Sequence, residues 1–295
     1  MPLALGGVSS AATITGGSSL LVDFNSPTDA DDFVVAKASP SSPANLDFNN
    51  VAGQGVGGSG AGVWGPSTNP TGPLSSGAND GSALYAPAGL SSTDGLIDVG
   101  VGETFTTSVK INLDTVGIGA VPSIGFVAEE TIDPNNPNQI SGTNNLNSTA
   151  NSMSLIFRFF QGAHRLTLRN AGFDAQSIDT NDSNTFTPVA NEWYELRMIV
   201  EKTPTANTFN VTGQLDRLSA DGTSVVEANF REISAVYESA SLYTDEWRGG
   251  LQYLANPSGN TLARVFDEFS VSVTPEPSSI ALLGLTVLGV AWRRP

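Results

Sequence analysis

The chain contains no cysteine, which excludes a disulfide framework, a thiolate zinc site, a cysteine nucleophile and a lipidated N-terminal cysteine. Stability therefore has to come from packing alone. Charge is also sparse: 14% of the 295 residues are charged, few for long amphipathic helices. Positive charge is sparser still, with 13 lysines and arginines against 29 aspartates and glutamates. The formal charge of −16 repels phosphate backbones and anionic headgroups over most of the surface, so nucleic acid is not expected as a partner. The acidic residues are scattered, which reads as a solubilising surface. The single histidine, His164, has no sequence-local partner for acid–base work, and strand packing accounts for it. What the chain has in quantity is glycine (31) and proline (17), the punctuation of short strands and turns. Its length suits one large β-sandwich or two small domains.

Between the ends the dominant hydrophobic period is two, the mark of half-buried strands. Phe105, Val109, Ile111 and Leu113 alternate with polar neighbours, and His164, Leu166 and Leu168 oppose Arg165, Thr167 and Arg169. Tyr194, Leu196, Met198 and Val200 share one face, as do Phe209, Val211, Gly213 and Leu215. Val265, Phe269, Val271 and Val273 make a last strand, and shorter candidates lie at 20–24, 124–128 and 153–160. Asp221-Gly222 and Asn170-Ala171-Gly172 supply turns. This spacing predicts an all-β, antiparallel β-sandwich of jelly-roll type over residues 13–273. A helix is expected only around 230–243. Residues 38–93, rich in Gly, Ser, Pro and Asn, read as a loop-rich insertion, and 129–151 as a second long loop. Asn191-Glu192-Trp193-Tyr194-Glu195-Leu196-Arg197, with the closing Arg264-Val265-Phe266-Asp267-Glu268-Phe269, resembles the later strands of LamG or concanavalin-like jelly rolls. That resemblance implies a fold often used for carbohydrate or protein recognition.

The two ends carry targeting signals. Residues 1–12 hold a short apolar stretch followed by small residues, and Ser10 and Ala12 fit the small-x-small rule for signal-peptide cleavage before Thr13. No Lys or Arg precedes Lys37, so the segment reads as a truncated signal-peptide remnant whose true start lies upstream. At the other end, residues 274–295 present Pro275-Glu276-Pro277, then an apolar run from Ile280 to Trp292, then Arg293 and Arg294. The prolines remove backbone donors and favour an extended, accessible segment. The run is apolar on every face (Ile280, Leu282, Leu283, Leu285, Val287, Leu288, Val290, Trp292), so as a helix it needs lipid or a protein groove. It is shorter than the ~20 residues that cross a bilayer unaided, with snorkelling arginines extending its reach and holding the cytoplasmic side. This order of elements resembles the PEP-CTERM sorting signal. The resemblance implies an exosortase as processing partner, a transient inner-membrane anchor, delivery to the cell surface or extracellular matrix, and association with exopolysaccharide and biofilm.

The sequence holds few groups arranged for chemistry. Concanavalin-like glycosidases place carboxylates on one strand face as Glu-x-Asp-x-x-Glu, and that arrangement is absent; Asp245-Glu246 and Asp267-Glu268 put neighbouring carboxylates on opposite faces. No catalytic residue is assigned. Asp179, Asn181 and Asp182 offer oxygen ligands at which calcium is a possible cofactor, against a plain polar hairpin. Trp64 and Trp247 sit among loop-type residues and are candidates for stacking on sugar rings, against packing in the core. The expected function is a non-enzymatic surface or matrix protein, with exopolysaccharide as a possible ligand; the alternatives are a secreted glycoside-active enzyme and a purely structural adhesin.

Overall fold

The computed structural model describes residues 13–37, 46–66, 81–90, 92–113, 121–129, 146, 151–160, 163–171, 178–183, 185–189, 192–254 and 265–276. The signal-peptide remnant, Pro277, the apolar run and Arg293 and Arg294 lie outside them. In chain order the strands are β1 (Ser19–Val22), β2 (Phe33–Lys37), β3 (Leu46–Val51), β4 (Ala61–Pro66), β5 (Gly81–Tyr85), β6 (Thr104–Leu113), β7 (Val121–Ala128), β8 (Ser152–Phe160), β9 (Ala163–Ala171), β10 (Ile178–Asn181), β11 (Glu192–Lys202), β12 (Thr208–Leu218), β13 (Val225–Glu238), β14 (Trp247–Leu254) and β15 (Val265–Thr274). One short helix, α1 (Ala240–Thr244), precedes β14.

The strands form two antiparallel sheets. Sheet I runs β13-β12-β11-β6-β15-β4-β3, with β1 also paired to β15, and sheet II runs β10-β9-β8-β7-β14-β5-β2. The inner faces meet in one core containing Phe105, Val109, Leu196, Met198, Phe209, Phe269 and Val271 from sheet I and Ile124, Phe126, Met153, Leu155, Leu166, Leu168 and Leu251 from sheet II. Along β11 from Tyr194 to Lys202 the burial alternates residue by residue, so the period-two pattern is the sandwich interface itself. The expected antiparallel β-sandwich is what the chain forms.

Two expectations about local structure need correction. Where a helix was expected over 230–243, β13 occupies most of the span and only five residues turn helical, capped by the Ser239 hydroxyl on the Leu242 amide. The spacing of Phe230, Ile233 and Tyr237, three residues then four, satisfies a helical stripe, whereas in a strand only Ile233 and Tyr237 share a face, and the register irregularity beside Asn229 (φ 50°) precedes them. The partner decides: β12 offers its free edge from Thr208 to Leu218, and a helix would leave that edge unpaired. Likewise the stretch 38–93, expected to be loops, contains β3, β4 and β5. Its few apolar residues are the anchors: Phe48 and Trp64 lie 5.2 Å apart, and Phe33 meets Tyr85 edge-on at 5.5 Å. At least one glycine of this texture is a packing requirement, because a side chain on Gly62 would strike the rings of Phe24 and Phe48.

Candidate functional site

The structure places both candidate sugar-stacking residues in the interior. Trp64 is 0% and Trp247 1% exposed. Trp247 stacks on Phe126 at 4.1 Å and donates its indole N–H to the Leu242 carbonyl at 2.8 Å. Neither ring has a face left for a sugar, because strands now run where loops were expected. The suggested calcium ligands also separate: Asn181 is exposed and accepts from the Thr167 hydroxyl at 2.7 Å, whereas Asp182 is buried. Among the described residues no group of three His, Asp or Glu side chains converges on one point. His164 stacks on Phe157 at 5.6 Å, and burial lowers its pKa, keeping the ring neutral in the core margin.

A feature that the sequence reading missed crosses the outer face of sheet II. Antiparallel register brings Ser82 opposite Gln252, Gln252 opposite Ser123, Ser123 opposite Ile156, Ile156 opposite Thr167, and Thr167 opposite Asn181. Five of the six residues in this row, drawn from six strands, carry a hydroxyl or an amide. In the next row Gly250, Gly125, Ser154 and Arg169 stand in register, so two glycines floor the face beside the hydroxyls. Gly125 cannot be otherwise, since a side chain there would collide with the Met153 carbonyl. Ser123 and Ser154 are 0% and 1% exposed, and their hydroxyls have no hydrogen-bond partner among the described residues. At the Ser82 end the row is closed by the Leu146 amide, which donates to the Ser82 hydroxyl at 2.9 Å; at the Asn181 end it is exposed. Each residue alone looked like an ordinary polar alternate of a strand. Only the pairing of six strands aligns them.

The second candidate region is the junction with the tail. Strand β15 lies inside sheet I, paired to β6 through Thr274 and to β1 through Ser272, and Val273 is buried. Pro275 and Glu276 follow immediately, and residues 273–294 match the PEP-CTERM protein-sorting motif. The tail is a PEP-CTERM sorting signal. It marks the chain as an exported surface protein, anchored by its C-terminus before processing by an exosortase. Among the described residues no helix is long and apolar enough to cross a membrane. No curated protein is significantly similar to the chain. Solved structures similar to it include lectin II from Ulex europaeus (13% identity, 88% of this chain and all of that one, TM-score 0.45). Arcelin-5, a lectin-like defence protein from Phaseolus vulgaris, matches at 13% identity over 87% of this chain and 98% of its own (TM-score 0.46), and a Bauhinia forficata lectin in complex with GalNAc at 10% over 88% and 100% (TM-score 0.45).

The strand that delivers the PEP-CTERM signal also carries a carboxylate held well above its ordinary pKa. At a bulge in β15, where Glu268 takes a positive φ of 51°, Asp267 turns inward and accepts from the Val56 and Glu268 amides, each at 2.8 Å, and from the Ser59 hydroxyl at 3.1 Å. It thereby ties the β3–β4 loop to the central strand. Burial outweighs these donors and raises its pKa to about 6. The folded protein then holds this proton more tightly than the unfolded chain, so the stabilisation is complete at acid pH and is lost as pH rises through 6. Stability is expected to fall by on the order of 2 kcal/mol between pH 4.5 and 7.5 on this account. Glu129 and Asp32 shift in the same direction through burial, so the test is the difference from Asp267→Asn: urea midpoints of the variant should show a shallower pH slope, and equal slopes would refute the assignment.

Proposed function

We propose that the protein is a non-enzymatic surface or matrix component that binds a hydroxyl-rich polymer, exopolysaccharide by class, along the outer face of sheet II. The observation carrying this reading is the pair of buried hydroxyls on Ser123 and Ser154. A buried polar group without a partner costs roughly 1–3 kcal/mol, and a ligand rich in hydroxyls, each both donor and acceptor, is chemically suited to offset that cost. The neighbouring hydroxyl and amide groups extend the same chemistry across the sheet. Of the row only Asn181 is exposed, so a ligand would have to reach the two serines from that edge of the sheet. The PEP-CTERM signal supports the setting, because an exported surface protein meets the polymers outside the cell.

The test uses residues 13–276, with the double variant Ser123→Ala, Ser154→Ala, against a panel of bacterial polysaccharides. Removing unpartnered hydroxyls should leave the ligand-free melting temperature unchanged or raised, while saturable binding weakens about fivefold or more, the loss of two hydrogen bonds of roughly 0.5–1.5 kcal/mol each. Undiminished binding would place the site elsewhere. Turnover of any glycan would favour a glycoside-active enzyme, and no binding across the panel a structural adhesin.

A further inference from the structure

We propose that the end of the sandwich from which the tail leaves is itself a docking surface for the membrane-embedded processing enzyme, an inference that rests on the exosortase reading of the PEP-CTERM signal. The sequence reading places Pro275-Glu276-Pro277 as an accessible segment between body and membrane. The structure seats its first two residues on the body. Val273 accepts from the Gly17 amide at 2.7 Å and donates to the Ser18 carbonyl at 3.0 Å, and Thr274 is still in register with Thr104. Pro275 lies 3.9 Å from the position a Cβ on Gly17 would take, and the Glu276 side chain 3.1 Å from that on Gly102. There is no spacer.

The covalent chain then sets a limit. Ile280, the first residue of the apolar run, is four residues beyond Glu276, and a fully extended chain advances at most ~3.6 Å per residue, so the run begins within about 14 Å of the body. An enzyme that grips Pro-Glu-Pro while the tail is still anchored therefore meets the loops around Glu276. These loops are built as one surface: the Gly102 amide donates to the Lys202 carbonyl at 2.7 Å, the Lys202 ammonium to the Val99 carbonyl at 2.8 Å, and the Tyr243 hydroxyl to the Thr203 carbonyl at 2.6 Å. Lys202 is thus turned inward, and what the loop presents beside Gly102 is Val101, 53% exposed. An exposed valine next to the scissile segment, on a loop held from below, fits an apolar contact with the partner. The N-terminal segment shares this end, because Ser19 opposite Ser272 places the start of β1 beside the finish of β15.

The experiment uses the full chain behind a secretory leader functional in a host possessing exosortase, following precursor and mature forms by pulse-chase and immunoblot. Val101→Asp should slow maturation at least fivefold, whereas Val226→Asp, an equally small change at a valine 63% exposed near the opposite end of β13, should leave the rate unchanged. Val101→Lys should slow it as well, separating loss of the apolar contact from the sign of the new charge. Twelve Gly/Ser residues inserted between Thr274 and Pro275 free the segment from the body, so the spaced Val101→Asp variant should mature at the rate of the spaced parent. Equal rates for the two unspaced aspartate variants, or a defect that persists with the spacer, would overturn the docking surface. A parent chain that is never processed would overturn the sorting reading and this inference with it.

Discussion

Replacing Arg248 by methionine is expected to lower stability by about 1–3 kcal/mol, the cost of leaving a half-buried carboxylate and several carbonyls without their donor. Arg248 is fully buried on the outer side of β14, the face opposite the core. Its guanidinium donates to both oxygens of Glu129, at 2.7 and 3.3 Å, to the Asp94 carbonyl at 2.9 Å, and to the carbonyls of Ser92 and Tyr85. One planar fork thus fastens the end of β7 and the segment after β5 to the centre of sheet II. Methionine fills much of the volume but supplies no donors, leaving a carboxylate and three carbonyls to find other partners. Lysine, a point charge on a flexible stem, should rescue only part of the loss. Urea unfolding of residues 13–276 measures both variants, and a loss below about 1 kcal/mol for Arg248→Met would show that the fork is dispensable.

Truncation is expected to separate the tail from the fold within ten residues. A chain ending at Glu276 should keep the full stability of the body, because the sandwich contacts of β15 end at Thr274 and the seat of Glu276 is peripheral. A chain ending at Asp267 loses Phe269, Val271 and Val273, all buried, and deprives β1 of its partner and β6 of one of its two. Burying three such side chains contributes roughly 1.5–3 kcal/mol each, comparable with the whole net stability of an average domain, about 5–15 kcal/mol. The shorter chain should be unfolded at 25 °C. Circular dichroism and thermal melts of the two chains decide it; a cooperative melt from the chain ending at Asp267 would mean that β15 is not the central strand described.

This sharp boundary explains why the two halves of the problem differed in legibility. The sorting signal is a linear code: two prolines, an apolar run and paired arginines act through composition and order, so they are as plain in the sequence as they will ever be. The strands of period two, from Phe105, His164, Tyr194, Phe209 and Val265 onward, were legible for a related reason, since each records its own burial in its own alternation. Trp64 and Trp247 stayed open between sugar and core, and the span 230–243 was misread, where the local text was ambiguous. Glycines around Trp64 that looked like loop residues include one held in place by ring contacts, and a spacing compatible with a helix was claimed by a free strand edge.

The sequence by itself determined the all-β class, the absence of disulfides, the acidic surface and the exported, exosortase-processed destiny, because each depends on composition or on neighbours along the chain. The tertiary structure alone decided which polar residues stand together. Ser82, Gln252, Ser123, Thr167 and Asn181 span 170 positions of sequence and meet in one row because register, set by the pairing of six strands, is a property of the sheet and of no single strand. It likewise decided that the sorting signal begins on the body with no spacer, since only pairing with β6 and β1 carries β15 to Thr274 and sets Glu276 against Gly102.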